Sequence, residues 1–242
     1  MSLLGTSFYV FWTDFRPDAE ADLDLWHLRE HFIERASVEG VLGARRYIAR
    51  DRKKYRYLTL YELASTSVMK KDWVVSVNHP SPWTLKYRGN GLLDTHRYSC
   101  LTAVSAGGGV GACMATAVLQ VPDKIKQPWI IARETVPALL EKQSITSVHF
   151  GADDGTETQR SGSRHNAGDR AKDAPKESGT ACVLMLESFD RARLEAELPG
   201  LEKSLQRDFK LTSPVEWRSY DLSYAITQDE ARKLVPFKQP KA

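Results

Sequence analysis

The hydrophobic pattern of this chain runs twice through one order: strand, helix, strand, strand, helix, strand. A glycine-rich stretch, SAGGGVGA (105–112), separates the two runs. A repeated order constrains the fold more than any single element does, because each half makes a sheet with an apolar face that needs a partner. In the first run, Phe8, Val10 and Trp12 alternate with Tyr9, Phe11 and Thr13, and residues 6–13 read as a strand buried on both faces. A helix over about Ala19 to Ser37 follows Pro17, and Val41 to Ala49 reads as the next strand. In residues 55–63, Tyr57, Thr59 and Tyr61 face one way and Leu58 and Leu60 the other. Ser65 or Thr66 caps a second helix through Val68, Met69 and Trp73; NHPSPW (78–83) is a proline-rich break, and Leu92 to Val104 is a strand with His96 and Tyr98 on one face.

The second run has a strand at 114–121 and a helix from Trp129 to Lys142, kinked or divided by Pro137. Strands follow at 145–150 and 181–187, then a helix over Arg191–Arg207 with Leu194, Leu198, Leu201 and Leu205 on one face, and a last strand at 215–226. The segment ACVLMLE (181–187) resembles LTLYE (58–62), and each ends in Glu. This order is that of the ferredoxin-like unit. The expected class is therefore α+β: two tandem ferredoxin-like units forming one intramolecular α+β barrel. The expected boundaries are 1–104, a linker at 105–112, and 113–242. Residues 152–178 carry too little apolar surface to offset their ordering entropy, so they are expected to form a mobile loop.

Composition narrows the function classes. The 242 residues are 42% hydrophobic, and 34 basic residues against 31 acidic ones leave a net charge of +3. Such a balance gives no argument for nucleic acid or for a membrane surface. Mean hydropathy is −0.42, and no apolar run approaches the roughly 20 residues of a membrane span. The N-terminus lacks a basic leader and a small-residue cleavage site, so a cytoplasmic protein is expected. Cys100, Cys113 and Cys182 show no metal spacing and read as buried small hydrophobes.

Chemistry concentrates between Trp26 and Tyr47. Leu25, Leu28, Phe32 and Ala36 form a helical apolar stripe, which leaves Trp26, His27, Glu30, His31 and Glu34 on another face. Gly40 supplies the turn into the strand, where Arg45, Tyr47 and Ala49 face one way and Arg46 and Ile48 the other. HLREH (27–31) matches the H-x-x-E-H zinc motif, but a third ligand further down the chain is missing, since Arg97 to Arg133 contains no Glu or His. The 105–112 glycines lack the Lys-Ser/Thr of a phosphate loop. His79 reads as a turn residue. His149 and His165 read as structural or exposed.

Trp26, Glu30, His31, Glu34, Arg35, Gly40 and the run Ala44-Arg45-Arg46-Tyr47 resemble the signature of EthD-like proteins of the dimeric α+β barrel superfamily. Tyr61-Glu62 and Ser81-Pro82-Trp83 are similar to that family's later segments. The resemblance covers mainly residues 6–100. It implies a superfamily of muconolactone-type isomerases, polyketide cyclases, small monooxygenases and haem-binding enzymes, in one branch of which a first-helix histidine is functional; His31 is the position that resembles it. In the second half Arg133-Glu134 stands where Glu30-His31 stood, so no equivalent second site is expected.

The leading expectation is a cofactor-free acid/base enzyme of isomerase, cyclase, dehydratase or decarboxylase type. It would act on a small aromatic, lactone or polyketide-like metabolite. His31 is the acid or base, since imidazole both takes and gives protons near neutrality; Arg46 holds an anion, and Tyr47 and Tyr61 donate hydrogen bonds. Trp12, Tyr57, Trp83, His96 and Tyr98 are the expected substrate-binding residues, as aromatics with polar tips suit a flat, oxygen-bearing ligand. No metal, cofactor, nucleic-acid or membrane partner is expected, and a homodimer is left open. The alternatives are a non-catalytic ligand-binding or accessory protein of a catabolic pathway, and a haem- or oxygen-dependent monooxygenase.

Overall fold

The computed structural model describes residues 3–51, 54–70, 73, 80–155 and 179–234. The first run supplies β1 (Ser7–Phe15), β2 (Val41–Ile48), β3 (Tyr57–Leu63) and β4 (Leu92–Gly107). The second supplies β5 (Cys113–Pro122), β6 (Ile145–Asp153), β7 (Gly179–Ser188) and β8 (Arg218–Thr227). These strands pair antiparallel in the order β1-β3-β2-β8-β5-β7-β6-β4, and β4 returns to β1 to close a barrel. Within that order the halves repeat: 4-1-3-2 in the first and 8-5-7-6 in the second. The edges meet as β2 on β8, from Gly43↔Thr227 to Ile48↔Asp221, and β4 on β6, from Cys100↔Asp153 to Gly107↔Ser147. The fold is thus an α+β barrel of two ferredoxin-like units within one chain, as the duplicated order predicts.

Helices lie outside the barrel. The first is α1 (Glu20–Trp26), a π-helical turn (His27–His31) and α2 (Phe32–Ala36) in continuous succession. Short helices α3 (Ser67–Lys70) and α4 (Pro82–Tyr87) complete the first unit. The second unit carries α5 (Pro128–Thr135), a 3-10 segment at Val136–Glu141, α6 (Arg191–Phe209) and the short α7 (Gln228–Lys233). Leu194, Leu198, Leu201 and Leu205 of α6 are all buried in one apolar cluster with residues of β5, β6 and β7, as their spacing predicts. No helix among the described residues is long and apolar enough to cross a membrane.

Five local readings change. The proline-rich break becomes α4, because Ser81 Oγ accepts the Thr84 amide as an N-cap and Pro82 occupies the first helical position. Strand β4 runs through Ser105, Ala106 and Gly107, which the glycine pattern assigns to the linker; the open edge of β6 offers them backbone partners. Gly107 is required there: its φ is +94°, and a Cβ would stand 2.3 Å from the Thr146 carbonyl. His149 lies within β6, not after a strand, and is fully buried, so the structural reading holds and the exposed one does not. The stripe through Leu25 and Leu28 also fails, since Leu25 is 53% exposed while Leu23, Trp26, His27 and Glu30 are buried. Of the loop expected over 152–178, Ala152 and Asp153 instead belong to β6, and residues 156–178, like His79 and His165, lie outside the described residues.

The barrel interior joins both halves. Phe8, Val10 and Trp12 of β1, Tyr47 of β2, and Leu58 and Leu60 of β3 pack with Met114, Val183, Met185 and Tyr220. At one end the apolar filling gives way to charge. Arg45 donates from Nη2 to Glu62 at 2.7 Å and from Nη1 to Glu187 at 2.7 Å. His149 Nε2 lies 2.9 Å from the same Glu187 oxygen, and its Nδ1 lies 2.8 Å from Ser105 Oγ. The Gly111 amide donates to the other Glu187 oxygen at 2.6 Å. Burial opposes the charge on Glu187, but the His149 hydrogen bond and the Arg45 charge outweigh it and hold the carboxyl below its usual range. The register explains this pairing. Arg45 pairs with Leu60 two residues before Glu62, and His149 pairs with Met185 two residues before Glu187. Arg45 and His149 are therefore counterparts in the two units, as are the two glutamates.

Removing one member of a buried ion pair leaves its partner uncompensated. Glu187→Ala is expected to lower the free energy of urea unfolding by about 3–5 kcal/mol. Glu216→Ala removes an exposed pair with Arg218 and should cost at most about 1 kcal/mol. Similar small losses for both would show that the network does not hold the barrel.

Candidate active site under the first helix

Acids Glu20 and Asp22 in the first turn suit the positive end of the first helix. Six residues on, the helix widens. The Phe32 amide donates to the carbonyl of His27, five residues back. One extra residue in a turn shifts the buried face, which is why the stripe read from an α-helical period ends at the wrong residues. Such π turns are found at functional sites with high frequency. Here the turn is HLREH itself, and it brings both histidines to the helix–sheet layer.

His27 is buried, with its ring 5.8 Å from that of His31. His31 is partly buried and stacks on Trp26 at 4.5 Å. The Nδ1 atoms of both rings are buried without a hydrogen-bond partner among the described residues. Burial, and then the Arg46 charge, push the His27 imidazole well below its usual range. Burial, then Arg35, His27 and Arg97, do the same to His31. Both rings are therefore neutral at neutral pH.

Arg46 points from β2 toward the same helix and is fully buried. Its Nη2 donates to Asp24, while Nε and Nη1 are buried without partners. Its guanidinium lies 4.8 Å from the Tyr57 ring and 5.7 Å from Phe15, and those two rings stack at 4.1 Å. Tyr61 reaches the layer from β3, buried among Phe11, Phe32 and Trp73, with its hydroxyl unpartnered and its phenol pushed up by burial. Five polar atoms of four side chains are thus left unsatisfied in one helix–sheet layer. Buried polar groups are paired in the great majority of cases, so such a concentration marks a place for a ligand or ordered water.

The nominated residues divide between two compartments. His31, Arg46, Tyr57, Tyr61 and Trp83 lie on the outer face of the sheet, under the helices. Tyr47 points the other way, into the barrel beside Arg45, as the strand alternation requires. Trp12 is also inside and donates across the barrel to Thr116 Oγ1 at 3.2 Å. Tyr98 packs edge-on to Trp12 at 6.0 Å, and His96 Nε2 lies 2.7 Å from the Tyr55 hydroxyl. Tyr47 and these three cannot meet a substrate held against Arg46 unless it crosses the sheet. Glu30 does not pair with His31: it accepts from Ser81 Oγ and from Thr84 Oγ1 at 3.3 Å, anchoring α4 to the first helix.

Sequence reasoning missed His27 as a partner of Arg46, because the α-helical phase turned it away from the sheet. It also missed the Arg45, Glu62, Glu187 and His149 cluster. The matching glutamates at the ends of two similar strands were the signal for it. Among the described residues the second unit lacks the polar layer. By register, Phe150 stands in the place of Arg46, Leu186 in that of Tyr61 and Cys182 in that of Tyr57. The three cysteines are buried and free, as expected. No group of three or more His, Cys, Asp or Glu among the described residues is placed to hold a metal ion, so HLREH has no third ligand there.

The lowered His27 pKa has a sign that can be measured. An unfolded imidazole titrates near 6.5, so below that pH the unfolded chain binds a proton that the folded chain refuses. The stabilising contribution is complete above pH 6.5 and falls with pH by up to about 1.4 kcal/mol per unit. Urea unfolding between about pH 7.5 and pH 5.5 should show a smaller loss for His27→Phe than for the native chain. Equal losses would mean that His27 is not held neutral.

No family model and no curated protein matches this chain. Solved structures do match, and over nearly the whole length. An anthrone oxidase-like protein superposes with a TM-score of 0.63 at 11% identity, covering 96% of this chain and 97% of its own. A provisionally assigned monooxygenase from Fusobacterium nucleatum subsp. nucleatum gives 0.60 at 9% identity, covering 93% and 96%. Another from Lactobacillus acidophilus gives 0.56 at 7% identity, covering 93% and 97%. At these identities the likeness establishes the shared fold.

Proposed function

We propose that this chain is an enzyme that deprotonates a small aromatic or polyketide-like metabolite and lets the resulting anion react with molecular oxygen. The observation that carries the reading is Arg46: a buried cation with two donor nitrogens unpaired among the described residues, flanked by aromatic rings and close to the neutral His27 imidazole, whose ring lies 5.8 Å from that of His31. An enolate or phenolate oxygen would satisfy those nitrogens. Its charge would also offset the Arg46 repulsion that lowers the His27 pKa, so the imidazole gains basicity as the anion forms. His27 and His31 then carry the proton, and Tyr61 donates to a substrate oxygen. Tyr47 lies across the sheet and has no part in this layer.

Oxygen replaces isomerisation as the preferred continuation because the protein folds like an anthrone oxidase-like protein and two provisionally assigned monooxygenases. The stoichiometry asks for no external reductant: a ring CH2 between two aryl groups plus O2 gives C=O plus H2O. The resemblance of residues 6–100 to EthD-like proteins agrees with a small-molecule substrate. Haem is a poor fit to this donor set. An iron-bound imidazole normally gives its second N–H to a carboxylate or carbonyl, which raises its basicity. Neither Nδ1 has such a partner among the described residues, and Arg35, Arg46 and Arg97 place positive charge around the two rings.

The test is oxygen uptake with a hydroxylated anthrone, without added metal or reductant. The native chain should consume oxygen, and Arg46→Met should lower turnover on the order of a hundredfold, as the loss of an anion-holding donor does. His31→Ala should keep a normal melting temperature and lose turnover. Uptake that is absent, or unchanged in Arg46→Met, would overturn the assignment.

A further inference from the structure

We propose a second ligand site at the charged end of the barrel, built to take a small organic ammonium ion with an apolar body. A cavity of about 330 Å³ opens there, between β2, β8 and the 108–111 connection. Arg45 and Glu62 form its charged wall, Leu4, Val110 and Ile226 its apolar walls, and Glu230 stands at its rim. At about 30 Å³ for each water-sized group, it holds a molecule of roughly ten such groups.

The charge of the occupant follows from the hydrogen bonds already made. Both Nη groups of Arg45 are engaged, each by a carboxylate at 2.7 Å. An anion would have to displace Glu62 or Glu187 from a buried pair, which is costly. A cation displaces nothing. Glu62 accepts Arg45 on Oε1 and the Leu4 amide on Oε2, and carboxylate oxygens have capacity for more donors. Arg45 and the His149 ring face two carboxyls in the network, and Glu230, which caps α7 at Thr227, adds a third carboxyl at the rim. Gly43 leaves Glu62 Oε1 uncovered on this side: a Cβ there would lie against that oxygen in van der Waals contact, at 3.5 Å. In the second unit the same register position holds Ser147, which is fully buried opposite Glu187. The opening described here lies at the unit in which glycine holds that position. The body of the ligand would lie along Leu4, Val110 and Ile226, with its ammonium at Glu62.

The experiment is a titration of the full chain with 2-phenylethylammonium, followed by calorimetry and by amide NMR. 3-Phenylpropionate, which carries the same phenylethyl body, serves as the anionic control. The ammonium should saturate one site and shift the Gly43, Gly109 and Ala225 amides, at least about tenfold more tightly than the anion. Glu62→Gln should weaken it by at least about tenfold. Because that variant disturbs a buried pair, Ala225→Trp provides the independent arm: it fills the cavity from an exposed position and should abolish binding with the fold intact. Equal binding of the anion, shifts at other amides, no saturation at concentrations on the order of 10 mM, or full binding by Ala225→Trp would each overturn the site.

Discussion

Closure of the sheet is the constraint on which everything else in this protein rests. A four-stranded unit has two open edges, and an open edge exposes a row of unpaired backbone donors and acceptors. Each unit here meets both open edges of the other, β2 on β8 and β4 on β6, so the barrel has no edge left. The same closure brings one face of each sheet together as a common interior, where Trp12, Tyr47 and Leu60 from one half pack with Met185 and Tyr220 from the other. Arg45 and Glu62 from the first unit and Glu187 and His149 from the second then pair inside, where none of them could be solvated alone.

A closed sheet also separates chemistry into two compartments. Side chains alternate across a strand, so neighbours such as Arg45 and Arg46 serve different sites. Arg45 is locked between carboxylates within the barrel. Arg46 lies under the helix with two nitrogens unpaired. The duplication has diverged unequally on these two faces. Inside, Arg45 and His149 keep counterpart roles on counterpart glutamates. Outside, the second unit replaces Arg46, Tyr61 and Tyr57 with Phe150, Leu186 and Cys182, and α6 packs there through four leucines and Phe209, which stacks on Phe150. A second unit that is all core on its outer face stabilises the barrel, and leaves the first free to carry unsatisfied polar groups.

The strands were legible because alternation survives any context: Tyr57, Thr59 and Tyr61 do oppose Leu58 and Leu60, and the α6 leucines do bury. The first helix was legible in extent and wrong in phase. Its π turn inserts one residue into the period, and no residue type announces that insertion. As a result Leu25 was assigned to the core and His27 to the surface, and both are reversed. The stretch SAGGGVGA reads as free linker from its glycines, yet three of its residues extend β4, since the edge of β6 is a partner that composition does not reveal.

By itself, the sequence determined the element order, its duplication, and which residues of each strand share a face. It also drew attention to the HLREH turn and to Arg46, whose unpaired polar atoms the fold gathers in one layer, since charge placement is a local property of the chain. Only the tertiary structure decided which side of each sheet became the barrel interior. That choice paired Arg45 with two glutamates 17 and 142 residues away, and it put Tyr47, Trp12, His96 and Tyr98 out of reach of His31. The physical reason is that ion pairing and burial depend on distances between strands that closure alone sets, and closure joins segments with no sequence relation beyond having once been copies.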